Sequence, residues 1–177
     1  MHRLFVALRP PPPLRAYLTA RMGGVAHARW QSDDQLHLTL RFLGEVDRSR
    51  AEEVAGALGT IDRPRPSIAI DGVGSFGRDR GITSIWARVA PDPALIRLHD
   101  RIERVLIRLG LGAEPRVFRP HITLARLSAG AGVPPAALAP LAGLAFDPVT
   151  VDQVLLFEST LGPTGAYYDV VARYPLV

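Results

Sequence analysis

The chain has 177 residues, 47% hydrophobic and 21% charged, with 21 basic against 17 acidic side chains and a formal net charge of +4. That balance supports a buried core and excludes general disorder, and no apolar run approaches the 18 residues of a membrane-spanning helix. The chain has no cysteine, which excludes disulfides, thiolate zinc sites and cysteine nucleophiles, and all its basic residues are arginine, whose planar fork suits phosphate.

From the start, Met1–Arg9 holds too short an apolar core for a secretory leader, so a cytoplasmic protein that does not engage a membrane is expected. Leu4–Leu8 reads as a short buried strand ended by Pro10–Pro13, and Leu14–Met22 as a helix closed by Gly23 and Gly24. Leu36–Leu43 alternates: Leu36, Leu38, Leu40 and Phe42 fall on one face, His37, Thr39 and Arg41 on the other. Gly44 ends that strand, and Asp47 or Ser49 caps a helix running to about Leu58. Ser67–Val73 reads as a strand followed by tight turns at Gly72, Gly74 and Gly77. Thr83–Val89 is the next strand and holds Trp86.

Pro91–Gly110 is the clearest helix, with Leu95, Leu98, Ile102, Val105, Leu106 and Leu109 at helical spacing. A strand follows from His121 to about Leu127, then a loop with a short helix over Ser128–Gly143. The last strands are Val149–Phe157 and Tyr167–Tyr174, joined by a turn around Gly162 and Pro163. This mixed order favours an α+β fold with largely antiparallel sheets over a doubly wound one. Each half of the chain carries a helix and a strand beginning His, apolar, Thr, Leu. Two matching lobes facing each other across a cleft fit that repeat.

Those two strands carry the chemistry. In His37-Leu38-Thr39-Leu40 and His121-Ile122-Thr123-Leu124, period two places each imidazole and hydroxyl on one face of a rigid element. Two such pairs, face to face, make an acid–base site: one imidazole takes a proton from water and the other gives one to a leaving oxygen. The threonine hydroxyls can donate to phosphate oxygens, and no metal is demanded. Arg41 has the parity of Thr39 and is a further candidate contact. Phe42, Phe76 and Phe118 are expected to pack in the core or at a hinge rather than to stack on bases. His99 is expected at the surface, and His2 and His27 belong to no pattern.

His37-Leu-Thr-Leu-Arg-Phe-Leu-Gly-Glu45 and Phe118-Arg-Pro-His-Ile-Thr-Leu-Ala-Arg126 closely resemble the two motifs of the 2H phosphoesterase superfamily, and within it the RNA 2′,3′-cyclic phosphodiesterases, also called 2′-5′ RNA ligases. The resemblance implies one bilobal domain over residues 1–177, with two antiparallel sheets, flanking helices and related halves around a central cleft. It implies metal-independent hydrolysis of a terminal 2′,3′-cyclic phosphate to a 2′-phosphate, with reversible ATP-independent 2′-5′ joining in some members. His37 and His121 would be catalytic, and Thr39, Thr123 and Arg126 would bind substrate. Arg126 lies five places after His121, so it reaches the cleft only if the strand ends or bulges near Ala125. The expected partners are RNA ends or nucleoside 2′,3′-cyclic phosphates. A monomer without cofactor is expected. Another substrate, such as ADP-ribose cyclic phosphate or a 2′-5′ oligonucleotide, remains open. So does a non-catalytic RNA- or nucleotide-binding role, although binding needs no second imidazole.

Overall fold

The computed structural model describes residues 1–62, 64–78, 81–128 and 130–177. Nine strands alternate with three α-helices: β1 (His2–Leu8), α1 (Pro12–Arg21), β2 (Arg29–Trp30), β3 (Leu38–Val46), α2 (Arg48–Gly59), β4 (Ser67–Arg78), β5 (Gly81–Val89), α3 (Pro93–Arg108), β6 (His121–Arg126), β7 (Phe146–Thr150), β8 (Gln153–Gly162) and β9 (Gly165–Pro175). Short 3-10 turns at Asp33–Gln35 and Pro135–Leu141 complete the order. Pro12 and Pro13 open α1 rather than merely ending β1, because the first helical turn needs no amide donor there. The Asp47 carboxylate caps α2 by accepting from the Arg50 amide at 2.8 Å. Asp92 caps α3, accepting from Ala94 and Leu95. The stripe read from the sequence buries Leu95, Leu98, Ile102 and Leu106.

The strands run β7-β4-β5-β6-β3-β1-β8-β9, with β2 added beside β6, and every recorded pairing is antiparallel. The two expected sheets meet edge to edge at one registered pair, Leu38 with Ile122. Outward from that pair lie β3, β1, β8 and β9 on one side and β6, β5, β4 and β7 on the other. The first half is assembled from both ends of the chain: Leu4–Leu8 pairs with Glu158–Val154.

One sheet face carries the helices. Leu4, Val6 and Leu8 of β1, Ile68 and Ile70 of β4, and Ile122 and Leu124 of β6 bury against Leu14 and Leu18 of α1, Val54 and Leu58 of α2, and the α3 stripe. Phe5 and Ala7 point the other way and pack with Leu155 and Phe157, backed by Tyr168 and Val170. That second face bears the site.

Three elements depart from the sequence expectation. Gly44 does not end β3: with φ of +73° it forms a bulge, and the strand continues to Val46. β4 runs on through its glycines to Arg78. The apolar run Val149–Phe157 is two strands. Val151 donates to the Pro66 carbonyl and Asp152 accepts from Leu176, so the chain leaves β7 on one edge and enters β8 in the other half.

Candidate active site

His37 immediately precedes β3 and His121 opens β6. In an antiparallel ladder centred on Leu38 and Ile122, His37 falls on the Thr123 side and Thr39 on the His121 side. The junction is therefore an approximate two-fold axis, and it brings all four motif residues together. Both imidazoles are pinned alike. Nδ1 of His37 donates to the Gln35 carbonyl and Nδ1 of His121 to the Arg119 carbonyl, each at 2.7 Å. A proton held at Nδ1 leaves Nε2 as the exchanging nitrogen in both rings.

Each ring also rests on an aromatic bed. His37 lies 4.9 Å from the Phe5 ring and 5.2 Å, edge to face, from Tyr168, with Phe157 beyond. His121 lies 5.3 Å, edge to face, from Phe76 and 5.6 Å from Trp86. The indole can lie there because residue 74 is glycine: a Cβ at Gly74 would fall 2.2 Å from the Trp86 ring.

These surroundings disfavour the imidazolium. Loss of water around His37 pushes its pKa down to about 4, opposed by the Gln35 carbonyl and reinforced by the charges of Arg126 and His121. His121 is held below its ordinary value, again mainly by burial, with Arg119 opposing and Arg126 and Arg116 adding to the depression. The Arg126 charge thus bears on both rings, and a bound anion would offset it.

Two bulges decide which side chains join the histidines. On β6, Ile85 pairs with Ala125 but Trp86 with Thr123, so Leu124 is the extra residue. Ser84 and Trp86 share a face of β5, and their partners Arg126 and Thr123 therefore share one too. The bulge required to bring Arg126 onto the histidine face is present. On β3, Ala7 pairs with Thr39 and Val6 with Arg41, leaving Leu40 as the extra residue.

This second bulge overturns the placement expected for Arg41. Its side chain turns to the helix face, is 8% exposed, and is held by Glu103 of α3 and by the carbonyls of Gly112 and Phe42. Phe42 takes the site face instead, its ring 5.8 Å from Phe5. Expected to be packed away, Phe42 and Phe76 are 51% and 41% exposed. Phe118 does pack, stacked on His99 at 3.9 Å, so His99 is half-buried rather than a free surface residue. His2 bonds Glu158 at 2.8 Å.

Sequence reasoning missed Arg29 altogether. It stands on β2 directly opposite Arg126. A strand of two residues has no periodicity to read. Among the described residues, no three His, Cys, Asp or Glu gather at a metal-binding spacing, and no helix is long and apolar enough to cross a membrane.

Known proteins share this arrangement. The family model for LigT-like phosphoesterases matches the chain twice, over residues 8–86 and 89–168, once around each His-x-Thr strand. An RNA 2′,3′-cyclic phosphodiesterase of Thermotoga maritima is 34% identical over 148 residues, covering 81% of this chain and 77% of its own. One from Aeropyrum pernix is 32% identical over 142 residues, covering 78% and 81%. A crystal structure of E. coli LigT complexed with 3′-AMP matches with a TM-score of 0.81 at 27% identity, covering 99% of this chain and 98% of that one. Two successive family matches, each built around one histidine of the pair, and relatives aligned over most of their length establish that the chain belongs to the LigT-like branch of the 2H phosphoesterases and is an enzyme of that class.

Proposed function

We propose that the enzyme hydrolyses the 2′,3′-cyclic phosphate at an RNA end to a 2′-phosphate, with His37 and His121 as the proton-transfer pair. The observation that carries this reading is the matched pinning of two imidazoles by carbonyls at 2.7 Å on either side of one strand junction, beneath a shared arginine. A cyclic phosphodiester needs little else. Water attacks phosphorus opposite O3′ and loses its proton to one Nε2. The P–O3′ bond breaks, and O3′ takes the proton carried by the other Nε2. One proton enters the pair for each that leaves, so the pair must begin with one imidazole charged and the other neutral.

The Thr39 and Thr123 hydroxyls donate to the non-bridging oxygens, and Arg126 offsets the negative charge that builds on them. Bound phosphate in turn raises both histidine pKa values by opposing the Arg126 charge. Of the two rings, His37 is the more strongly held neutral. A proton that enters the pair therefore favours His121 over His37. Phe42 and Phe76 provide exposed aromatic surfaces on the site face against which a base can stack. A 5′-hydroxyl in place of water, with the same proton flow, would form a P–O5′ bond as the P–O3′ bond breaks and so give the 2′-5′ joining reaction from the same geometry.

A cyclic-ended oligonucleotide and a 2′,3′-cyclic mononucleotide, assayed with and without EDTA and followed by phosphorus NMR, test the proposal. Chelator-resistant formation of a 2′-phosphate is expected. A 3′-phosphate product, or loss in EDTA restored by a divalent ion, would overturn it.

A further inference from the structure

Arg29 and Arg126 are Cα partners on the β2–β6 rung, with Ser84 facing Arg126 from the other side. Directly opposed residues project from the same sheet face, so the two guanidinium groups stand together on the face that bears the histidines. The rung is firmly fixed. Trp30 pairs with Ala125 and packs against both larger core clusters, and the Gln31 amide donates to the Leu124 carbonyl at 2.8 Å. The Arg29 backbone therefore cannot move away from its neighbour without pulling an indole out of the core.

Like charges directly opposed across a rung repel. Several arginines elsewhere are neutralised: Arg9 and Arg15 by Asp33, Arg48 by Glu52, Arg50 by Glu53, Arg88 by Asp71, Arg101 by Asp62 and Arg116 by Glu114. Among the described residues no carboxylate pairs with Arg29 or Arg126, and both are exposed. Two adjacent unneutralised forks on a rigid rung match an anion with several oxygens.

We propose that Arg29, with Arg126 beside it, holds the phosphate on the 5′ side of the terminal nucleotide, so that the enzyme is built for the end of a strand rather than for a free cyclic mononucleotide. The inference rests on the cyclic-phosphate reading above and assigns the substrate class within it. The order of the two arginines follows from their reach. Arg126 lies on β6 with His121 and its charge is felt at both imidazoles, whereas Arg29 stands one strand away on β2. The reacting phosphate thus lies toward Arg126, and Arg29 addresses a charge one step farther out. On a strand that ends in a 2′,3′-cyclic phosphate, every further phosphate lies on the 5′ side.

The test compares adenosine 2′,3′-cyclic phosphate with and without a 5′-phosphate, using the wild type, Arg29→Gln and Arg29→Lys. The wild type should prefer the 5′-phosphorylated substrate by about tenfold in kcat/KM, the size of one charge-assisted contact. Arg29→Gln should abolish that preference and Arg29→Lys should keep part of it. For a cyclic-ended oligonucleotide, the fall of log kcat/KM with log salt should become shallower in Arg29→Gln by about 0.7. A preference that survives Arg29→Gln, or an equal loss on both substrates, overturns the proposal. If the wild type hydrolyses neither of these compounds nor the cyclic-ended oligonucleotide, the cyclic-phosphate reading fails by itself. Calorimetry with adenosine 2′,5′-bisphosphate and adenosine 2′-monophosphate then decides the site: an Arg29-dependent advantage for the bisphosphate sustains it, and equal affinity removes it.

Discussion

Acid should destabilise this fold through His37 specifically. In the unfolded chain its imidazole titrates near 6.5, but in the folded protein only near 4. Between those values the unfolded state binds the extra proton, so stability falls as pH drops through the window and levels off below about 4. At pH 7 neither state binds much proton, and the full contribution is present. Integrating the difference gives a loss of about 3 kcal/mol between pH 7 and pH 4. Other groups also take up protons in acid, so the wild-type curve alone cannot isolate the effect, but comparison with His37→Asn can. Urea unfolding of both proteins at pH 7 and pH 4 should show the wild type losing about 3 kcal/mol more than the variant. Equal losses would mean that the ring on Phe5 and Tyr168 is not held neutral, and the reasoning about proton placement would fall with it.

His37→Ala and His121→Ala should each lower turnover by about 10²–10⁴ while leaving circular dichroism intact, as expected for lost proton transfer; undiminished turnover in either would remove the paired mechanism. The two arginines flanking the bulges should separate cleanly. Arg126→Ala should cost about ten- to a hundredfold in kcat/KM with little change in melting temperature. Arg41→Ala should strand the Glu103 carboxylate and lower stability by about 3 kcal/mol, a difference readable by denaturant titration. Gly74→Ala should displace the Trp86 indole, costing about 1–3 kcal/mol and shifting its fluorescence, since the new methyl has no room beside the ring; an unchanged emission spectrum would contradict the close approach.

The readable parts of the sequence are those set by local period. The alternation around Leu38 and Ile122 announced two strands with His and Thr on one face, and the α3 stripe announced its own burial. The illegible parts depend on a distant partner. Nothing within residues 37–45 shows that β1 skips Leu40, yet that skip exchanges Arg41 for Phe42 on the site face. The matching skip at Leu124, set by β5, is what brings Arg126 onto it. Val149–Phe157 likewise holds no glycine or proline to mark a break, and the competing edges of β4 and β1 divide it.

The seating of the first half on both chain ends has a consequence for synthesis. The bed of His121 comes from residues 74–86, close in sequence, and can form early as the chain emerges. The bed of His37 joins Phe5 to Phe157 and Tyr168, and closing that loop waits for nearly the whole polypeptide. A nascent chain should therefore carry an imidazole at position 37 with an ordinary, water-exposed pKa until β8 and β9 arrive. Catalytic competence would then appear in one step at the end of folding, an order that pulse-labelled hydrogen exchange would reveal as protection of β4–β6 before β1.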